Sequence, residues 1–406
     1  MTFSGKLNRL LVLMVSFDAR KVAKQAHQTM ICMRIVNQLK LAWSPQAIIP
    51  LGVYEGFDSI EMLLAHGQKS ECFNDILELI DGTQQLTSPD ADRKPFNVDV
   101  FVSADGAARK AGLGRTSYAS NFPMTWNHMT KSEYKNIDLY ACLTLCAKVM
   151  KTYEPGPSCL THDQRLAHAR KNFGMYAANA TGLDPEKFVP DVLHFKLLTI
   201  NRLMMFTIKA IFNDDPTAVQ AFYAHCKMCL GLTYAFGFVD EEKGLITSSL
   251  RGNDCQKLLG QGDSIVNCTC DDHGFLNESK RRAITIVWTY FITLINDDEN
   301  RVIANTMPYA KYFLLAHKAL KIGVVVFGAD FPSPTMVERR NQIPYFKKIL
   351  LEMYDLLLSH FDMQGVEHEN KHQKALFLRG LKGGGRGDEF EPLKQLMVCT
   401  VLTKRN

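Results

Sequence analysis

The segment Gly106-Ala-Ala-Arg-Lys-Ala-Gly-Leu-Gly-Arg115 interleaves Arg109, Lys110 and Arg115 with residues small enough to let backbone N–H groups approach an anion. Tyr118, Phe122 and Trp126 follow closely and offer rings on which unpaired bases can stack. Cations for phosphate and ring faces for bases are the chemistry of a single-stranded nucleic-acid site. The plainer reading of the same residues is a basic surface loop beside an aromatic core. The glycine spacing is not that of a dinucleotide fingerprint, and no Gly-Lys-Ser/Thr closes a phosphate loop anywhere in the chain.

Further cations cluster toward the C-terminus as Lys280-Arg281-Arg282, Arg339-Arg340, Lys347-Lys348, and Arg379 with Lys382 and Arg386. From residue 280 to the end there are 19 Lys plus Arg against 13 Asp plus Glu, whereas the preceding residues hold 28 against 29. The whole formal charge of +5 therefore comes from the last third. Each pair alone is more often a solvated helix face than a ligand site. Their number, without matching acidic blocks, predicts a surface that tracks a phosphate backbone.

Two other constellations have ligand spacing. His368-Glu-Asn-Lys-His372 matches the HExxH pattern, in which two histidines on one helix face hold zinc and Glu369 polarises a bound water. The surrounding Glu367–Lys374 stretch is polar throughout, and Lys371 would repel a metal, so a solvated helix face is favoured over a zinc-dependent hydrolase. Cys226 and Cys229, with His225 before them, have the spacing of half a structural zinc site, and Cys268, Cys270 and His273 make an irregular second half. Thiols inside an apolar helix are the favoured reading, and no cofactor is expected. No nucleophile elbow and no Cys nucleophile in a Gly-flanked turn are present, so no catalytic residue is assigned.

The elements that must position these residues read as mostly α, in two helical lobes with a cleft between them. Apolar residues at helical period predict helices over 18–43, 58–66, 72–80, 130–153, 161–181, 185–212, 217–235, 278–295, 299–321, 335–361 and 367–381. Val98 to Ser103 alternates like a short strand, and 82–96 is rich in turn formers. Between 237 and 277 the helical pattern lapses, which marks a junction loop between an N-terminal lobe at 18–236 and a C-terminal lobe at 278–382. The 406 residues suffice for two cores. The 11 cysteines are odd in number and irregularly spaced, which predicts a reducing compartment. Lys6 and Arg9 precede an apolar run at 10–17 that is too short for a secretory signal and has no cleavage site. No later run reaches the roughly 20 residues that span a bilayer, so a soluble chain is expected, and its sequons at Asn179, Asn267 and Asn277 carry no meaning.

Two segments carry a resemblance. Asn121-Phe-Pro-Met-Thr-Trp126 with its following helix, and Asn305-Thr-Met-Pro-Tyr-Ala-Lys-Tyr312 between two long helices, are similar to segments of negative-strand RNA virus nucleoproteins; the second resembles the Pro-Tyr segment of the rhabdovirus type. The longer family signature around Pro-Tyr is absent, so no RNA-contacting residue is carried over. The resemblance implies a nucleocapsid protein without catalytic activity, whose two helical lobes clamp single-stranded RNA. It also implies self-assembly into a homo-oligomer through flexible terminal arms at 1–17 and 383–406. A viral polymerase or phosphoprotein is a further expected partner, and the virion and host cytoplasm, or the nucleus, are the expected locations. Beside this nucleocapsid reading stand the zinc hydrolase and a helical scaffold that binds only proteins.

Overall fold

A computed structural model describes residues 10–21, 27–38, 44, 47–56, 59, 62–63, 72–87, 95–117, 119–138, 162–177, 179–212, 216–233, 238–240, 244–246, 250, 252–260 and 276–375. Helix predominates among them, alongside a small four-stranded mixed sheet. The chain divides into two compact units. Unit 1 comprises Met1–Thr130, Ala141–Val192 and Phe346–Asn406; unit 2 comprises Lys131–Tyr140 and Leu193–Tyr345. These boundaries fall elsewhere than at a single junction over 237–277, and the cation-rich last third contributes to both units.

Unit 1 is built on the sheet, so it is α+β rather than a helical lobe. Strands β1 (Leu10–Lys21), β2 (His27–Ile35), β3 (Ile49–Glu55) and β4 (Asn97–Val102) lie in the order β3-β2-β1-β4. β1 pairs antiparallel with β2 and parallel with β4. The helix expected over 18–43 is thus replaced by the end of β1 and the whole of β2, and residues 10–17 form a central strand instead of part of an arm. The apolar run misled because Leu11 through Phe17 are buried on both sheet faces, which erases the alternation of a half-exposed strand. On one face Leu11, Leu13, Val15, Phe17 and Ile31 pack with Val100 and Val102, beneath helix α1 (Cys72–Asp81). Phe73 of α1 meets Phe17 edge-on at 6.4 Å. On the other, Met14, Arg34 and Phe101 face the turn Leu358–Phe361.

Unit 1 also holds α2 (Gly106–Gly112) and α3 (His162–Lys171), and it takes in residues 346–375 of the helices that close the described chain. Unit 2 holds α4 (Val192–Phe212, whose first residue belongs to unit 1), α5 (Pro216–Leu230), a hairpin of β5 (Phe238–Asp240) and β6 (Gly244–Ile246), and a helix α6 at 252–260. It continues with α7 (Glu278–Asp298), α8 (Tyr309–Phe327) and α9 (Pro334–Asn341); α10 (Ile343–Tyr354) passes into unit 1 at Phe346, and α11 (Gln364–Ala375) belongs to unit 1. Several expected helices are shorter than their apolar periodicity. The helix over 161–181 ends at Lys171, where Gly174 takes φ +87°. Residues 185–212 open with a 3-10 turn, Pro185–Lys187, before α4. The helix over 299–321 begins only at Tyr309, after Pro308. Residues 335–361 break into α9, α10 and a 3-10 turn. Residues 131–138 form turns, and the rest of the helix expected over 130–153 lies outside the described residues, as do most of 58–66 and of 237–277, and 1–9 and 376–406.

In unit 2, Trp288 of α7 is fully buried and donates from Nε1 to Thr207 Oγ1 at 3.0 Å. Phe206, Phe291, Phe327 and Phe331 pack as a ring cluster. Gly323 is required there, because a Cβ at that position would sit 2.1 Å from Phe331 Cε1. Among the described residues, no helix is long and apolar enough to cross a membrane.

Candidate nucleic-acid interface

The segment read as a phosphate loop begins where β4 ends. Asp105 caps α2 by accepting from Ala108 N at 2.7 Å. The chain then turns at Gly114 (φ +66°) and is tied down as Thr116 N donates to Gly174 O at 2.8 Å and Tyr176 N to Gly114 O at 3.0 Å. These long-range bonds set residues 116–122 against the end of α3.

The three cations of this segment point inward and are buried. The Arg109 guanidinium lies 4.4 Å from the centre of the Trp126 ring, with a long contact from Nη1 to Ala104 O. Lys110 Nζ donates to Thr116 O at 3.1 Å and to Phe122 O at 3.4 Å. Arg115 Nη2 donates to Asn127 O at 2.9 Å and Phe173 O at 3.0 Å. A side chain 1–2% exposed cannot reach a phosphate, so these three are corrected from ligand-binding groups to groups that shape the loop. Trp126 is corrected likewise: it is fully buried, donates Nε1–H to Phe188 O at 2.9 Å and packs on Phe346. Phe122 is half-buried and meets Phe173 edge-on at 6.1 Å; Tyr118 lies outside the described residues.

The loop so formed borders a cavity of about 230 Å³. Thr116, Ser120, Asn121 and Phe122 line one side, and Arg170 and Gly174 the other. Ser120 Oγ accepts from Thr116 Oγ1 at 2.8 Å and from Phe122 N at 3.2 Å, which fixes the turn. Arg170 and Lys171 sit in the last turn of α3, where cations are favoured by the helix dipole. Both are exposed, and neither has an ion-pair partner among the described residues. Their signal in the sequence is the Arg170-Lys-Asn-Phe-Gly174 helix end, which lies outside the cation clusters that the sequence pattern picks out.

The C-terminal cations divide in the same way. Arg339 is fully buried; its Nη1 donates to Asp298 and lies 3.2 Å from the Tyr312 hydroxyl, which itself donates to Asp298 at 3.0 Å. Burial lowers the Arg339 guanidinium, but Tyr312 and Asp298 outweigh it and hold it above its ordinary value. Burial and then the Asp298 charge push the Tyr312 phenol well above its own. Arg340 is also buried and donates to Ile137 O and, at 2.8 Å, to Asn341 Oδ1. Arg339, Arg340 and the buried Lys347 are therefore corrected as RNA contacts. Lys348 and Arg282 are exposed, the latter paired with Glu278, while Lys280 and Arg281 are half-buried. Arg379, Lys382 and Arg386 lie outside the described residues.

Arg34 is a further buried cation, on β2. Its Nη2 donates to His360 O at 2.8 Å and Asp362 O at 2.9 Å, and burial lowers its pKa against the pull of Asp362.

On α11, His368 and His372 are exposed while Glu369 is buried, with His372 Nδ1 3.9 Å from Glu369 Oε1. Among the described residues no three His, Cys, Asp or Glu side chains converge as metal ligands. On α5, Cys226 is buried and burial raises its thiol to about 12, whereas Cys229 is exposed with its Sγ 3.8 Å from His225 Nδ1. Cys268, Cys270 and His273 lie outside the described residues. Compared with known protein families and with individually curated proteins, the chain matches none.

Proposed function

We propose that this protein binds single-stranded RNA without reading its sequence and acts, as its resemblance implies, as a self-assembling nucleocapsid protein with no catalytic step. The observation that carries the reading is the cavity beside Arg170. Its hydroxyl and amide groups at Thr116, Ser120 and Asn121 suit a ribose or base edge, and the partly open Phe122 ring suits a base face. Arg170 at its border and Lys171 beside it in sequence, both exposed and without an ion-pair partner among the described residues, suit the adjoining phosphates. Stacking on one ring contributes about 1–3 kcal/mol per base and is tolerant of base identity. The buried Lys110 and Arg115 support the site indirectly, since the carbonyls they hold define the loop that makes its wall. Encapsidation in the virion or host cytoplasm, homo-oligomers, and a polymerase or phosphoprotein partner belong to this same proposal.

The test is salt-dependent binding of short homopolymeric RNA by the full chain, followed by fluorescence anisotropy. Replacing Arg170→Glu and Lys171→Glu removes two phosphate contacts and should lower the magnitude of the log-affinity against log-salt slope by about 1.4, since each single-strand contact contributes about 0.7. Thermal stability should hold, because both side chains are exposed. An unchanged slope in a normally folded double variant overturns the site. Absence of RNA binding by the unaltered protein overturns the function.

A further inference from the structure

We infer that unit 2 carries a phosphodiester-binding patch of its own, formed by Lys135, Arg202 and Lys209 around Phe206 and occupied internally by Asp330. The inference rests on the RNA-binding reading above but uses none of the residues of that cavity. Arg202, Phe206 and Lys209 stand four and three residues apart on α4, which puts them on one helix face. The Arg202 guanidinium lies 4.4 Å from the centre of the Phe206 ring, and Lys209 Nζ lies 5.4 Å from it. Phe206 is itself buried against Phe327 and Phe331, so the ring anchors the cations and is not a platform for a base.

A turn delivers the fourth member. Gly328 takes φ +90° at the end of α8, and Phe331 N donates to Gly328 O at 3.1 Å. Arg202 holds the turn by donating to Asp330 O and, from Nε at 3.0 Å, to Phe331 O. The Asp330 carboxylate then projects outward, its side chain 79% exposed, and meets Lys135 Nζ at 2.5 Å. Lys209 is exposed and has no hydrogen-bond or ion-pair partner among the described residues. Three cations thus surround one carboxylate. The Lys135 hydrogen bond and charge, with Arg202 and Lys209 adding to them, hold the Asp330 carboxyl below its ordinary value. Asp330 is a tethered anion on a surface with positive charge to spare. An ion pair this exposed adds little to stability, which leaves a phosphate free to displace the carboxylate from Lys135 while Lys209 draws it in.

This makes a prediction of opposite signs. In the full chain, Asp330→Asn removes the internal competitor and should tighten single-stranded RNA binding by about threefold at low salt, whereas loss of a structural ion pair would weaken it or leave it unchanged. Lys209→Gln should weaken binding and lower the salt slope by about 0.7. Inorganic polyphosphate is the second probe, and it should follow the same order. If the unaltered protein binds RNA and neither variant shifts affinity or slope, the patch is refuted and the RNA reading stands. If RNA is not bound but polyphosphate is, with the variants ordered as expected, the patch survives and the RNA reading falls. Binding of neither polyanion overturns both, and preference for polyglutamate over both would reassign the patch to an acidic protein and overturn it as stated.

Discussion

Lys110 and Arg115 in unit 1 and Arg339 in unit 2 are equally hidden from solvent, but they do different work. The first two donate to backbone carbonyls at Thr116, Phe122, Asn127 and Phe173, holding a loop in place. Arg339 donates to the Asp298 carboxylate, linking α9 to α7. Arg170, at the end of α3, does neither: it is exposed and has no ion-pair partner among the described residues. A cation can therefore build a turn, close an internal ion pair or meet a ligand, and only the last role bears on a polyanion.

The contrast is broken most forcefully from the unit 2 side. Asp298→Ala leaves the Arg339 guanidinium buried with its charge unanswered and removes the acceptor of the Tyr312 hydroxyl. The expected loss is about 3–5 kcal/mol, because the desolvation penalty remains after its compensation is gone. Urea unfolding measures it, with the double replacement Asp298→Leu, Arg339→Met as control. That double variant should be much closer to the unaltered protein, since an apolar pair has no charge to desolvate. Equal losses in both would mean that volume rather than charge holds the helices together.

On the unit 1 side the carbonyls of Asn127 and Phe173 are neutral acceptors, so a smaller effect follows from losing the bonds to them. Arg115→Met leaves the carbonyls of Asn127 and Phe173 without this donor and should cost about 2–3 kcal/mol. Arg115→Lys keeps the charge but not the planar fork, and should recover only part of the loss. Full recovery by lysine would show that charge alone, and not the forked reach to two carbonyls, sets the loop. RNA affinity is expected to fall with Arg115→Met only as far as the cavity wall loosens, whereas Arg170→Glu acts without a stability change.

The same residues show what could be read in advance. The α1 helix, β4 and the body of α7 follow from local apolar spacing, because each buries one face against a neighbour. β2 does not: Met30, Met33 and Val36 fall at helical intervals, yet the fold pairs Met30 with Asp18 and Met33 with Val15 across a hairpin. Nothing local in Arg339-Arg340 separates an internal ion pair from a surface patch, since the deciding partner, Asp298, is 41 residues away. The cavity was partly legible. Its loop is marked by glycines, cations and rings, but the exposed charge beside it belongs to Arg170 and not to the buried Lys110 and Arg115. The backbone pairing of residues 114–116 with 174–176 brings the end of α3 beside the loop, across about 60 residues of chain that no local pattern spans.

Gly174 offers a test of the cavity wall itself. Its φ of +87° disfavours any side chain, and an added Cβ would stand 2.8 Å from Phe122 Cβ and 3.1 Å from Thr116 Oγ1, both on the cavity wall. Gly82 has a similar φ of +81° with nothing within 4 Å of a Cβ. Gly82→Ala should therefore show the conformational penalty alone, about 1 kcal/mol, and Gly174→Ala about 1 kcal/mol more from crowding. The extra loss should come with weaker RNA binding, because Phe122 and Thr116 must be pushed into the space proposed for the nucleotide. Equal destabilisation of the two variants would show that Phe122 gives way freely, and a wall that yields to one methyl group would not hold a base in place.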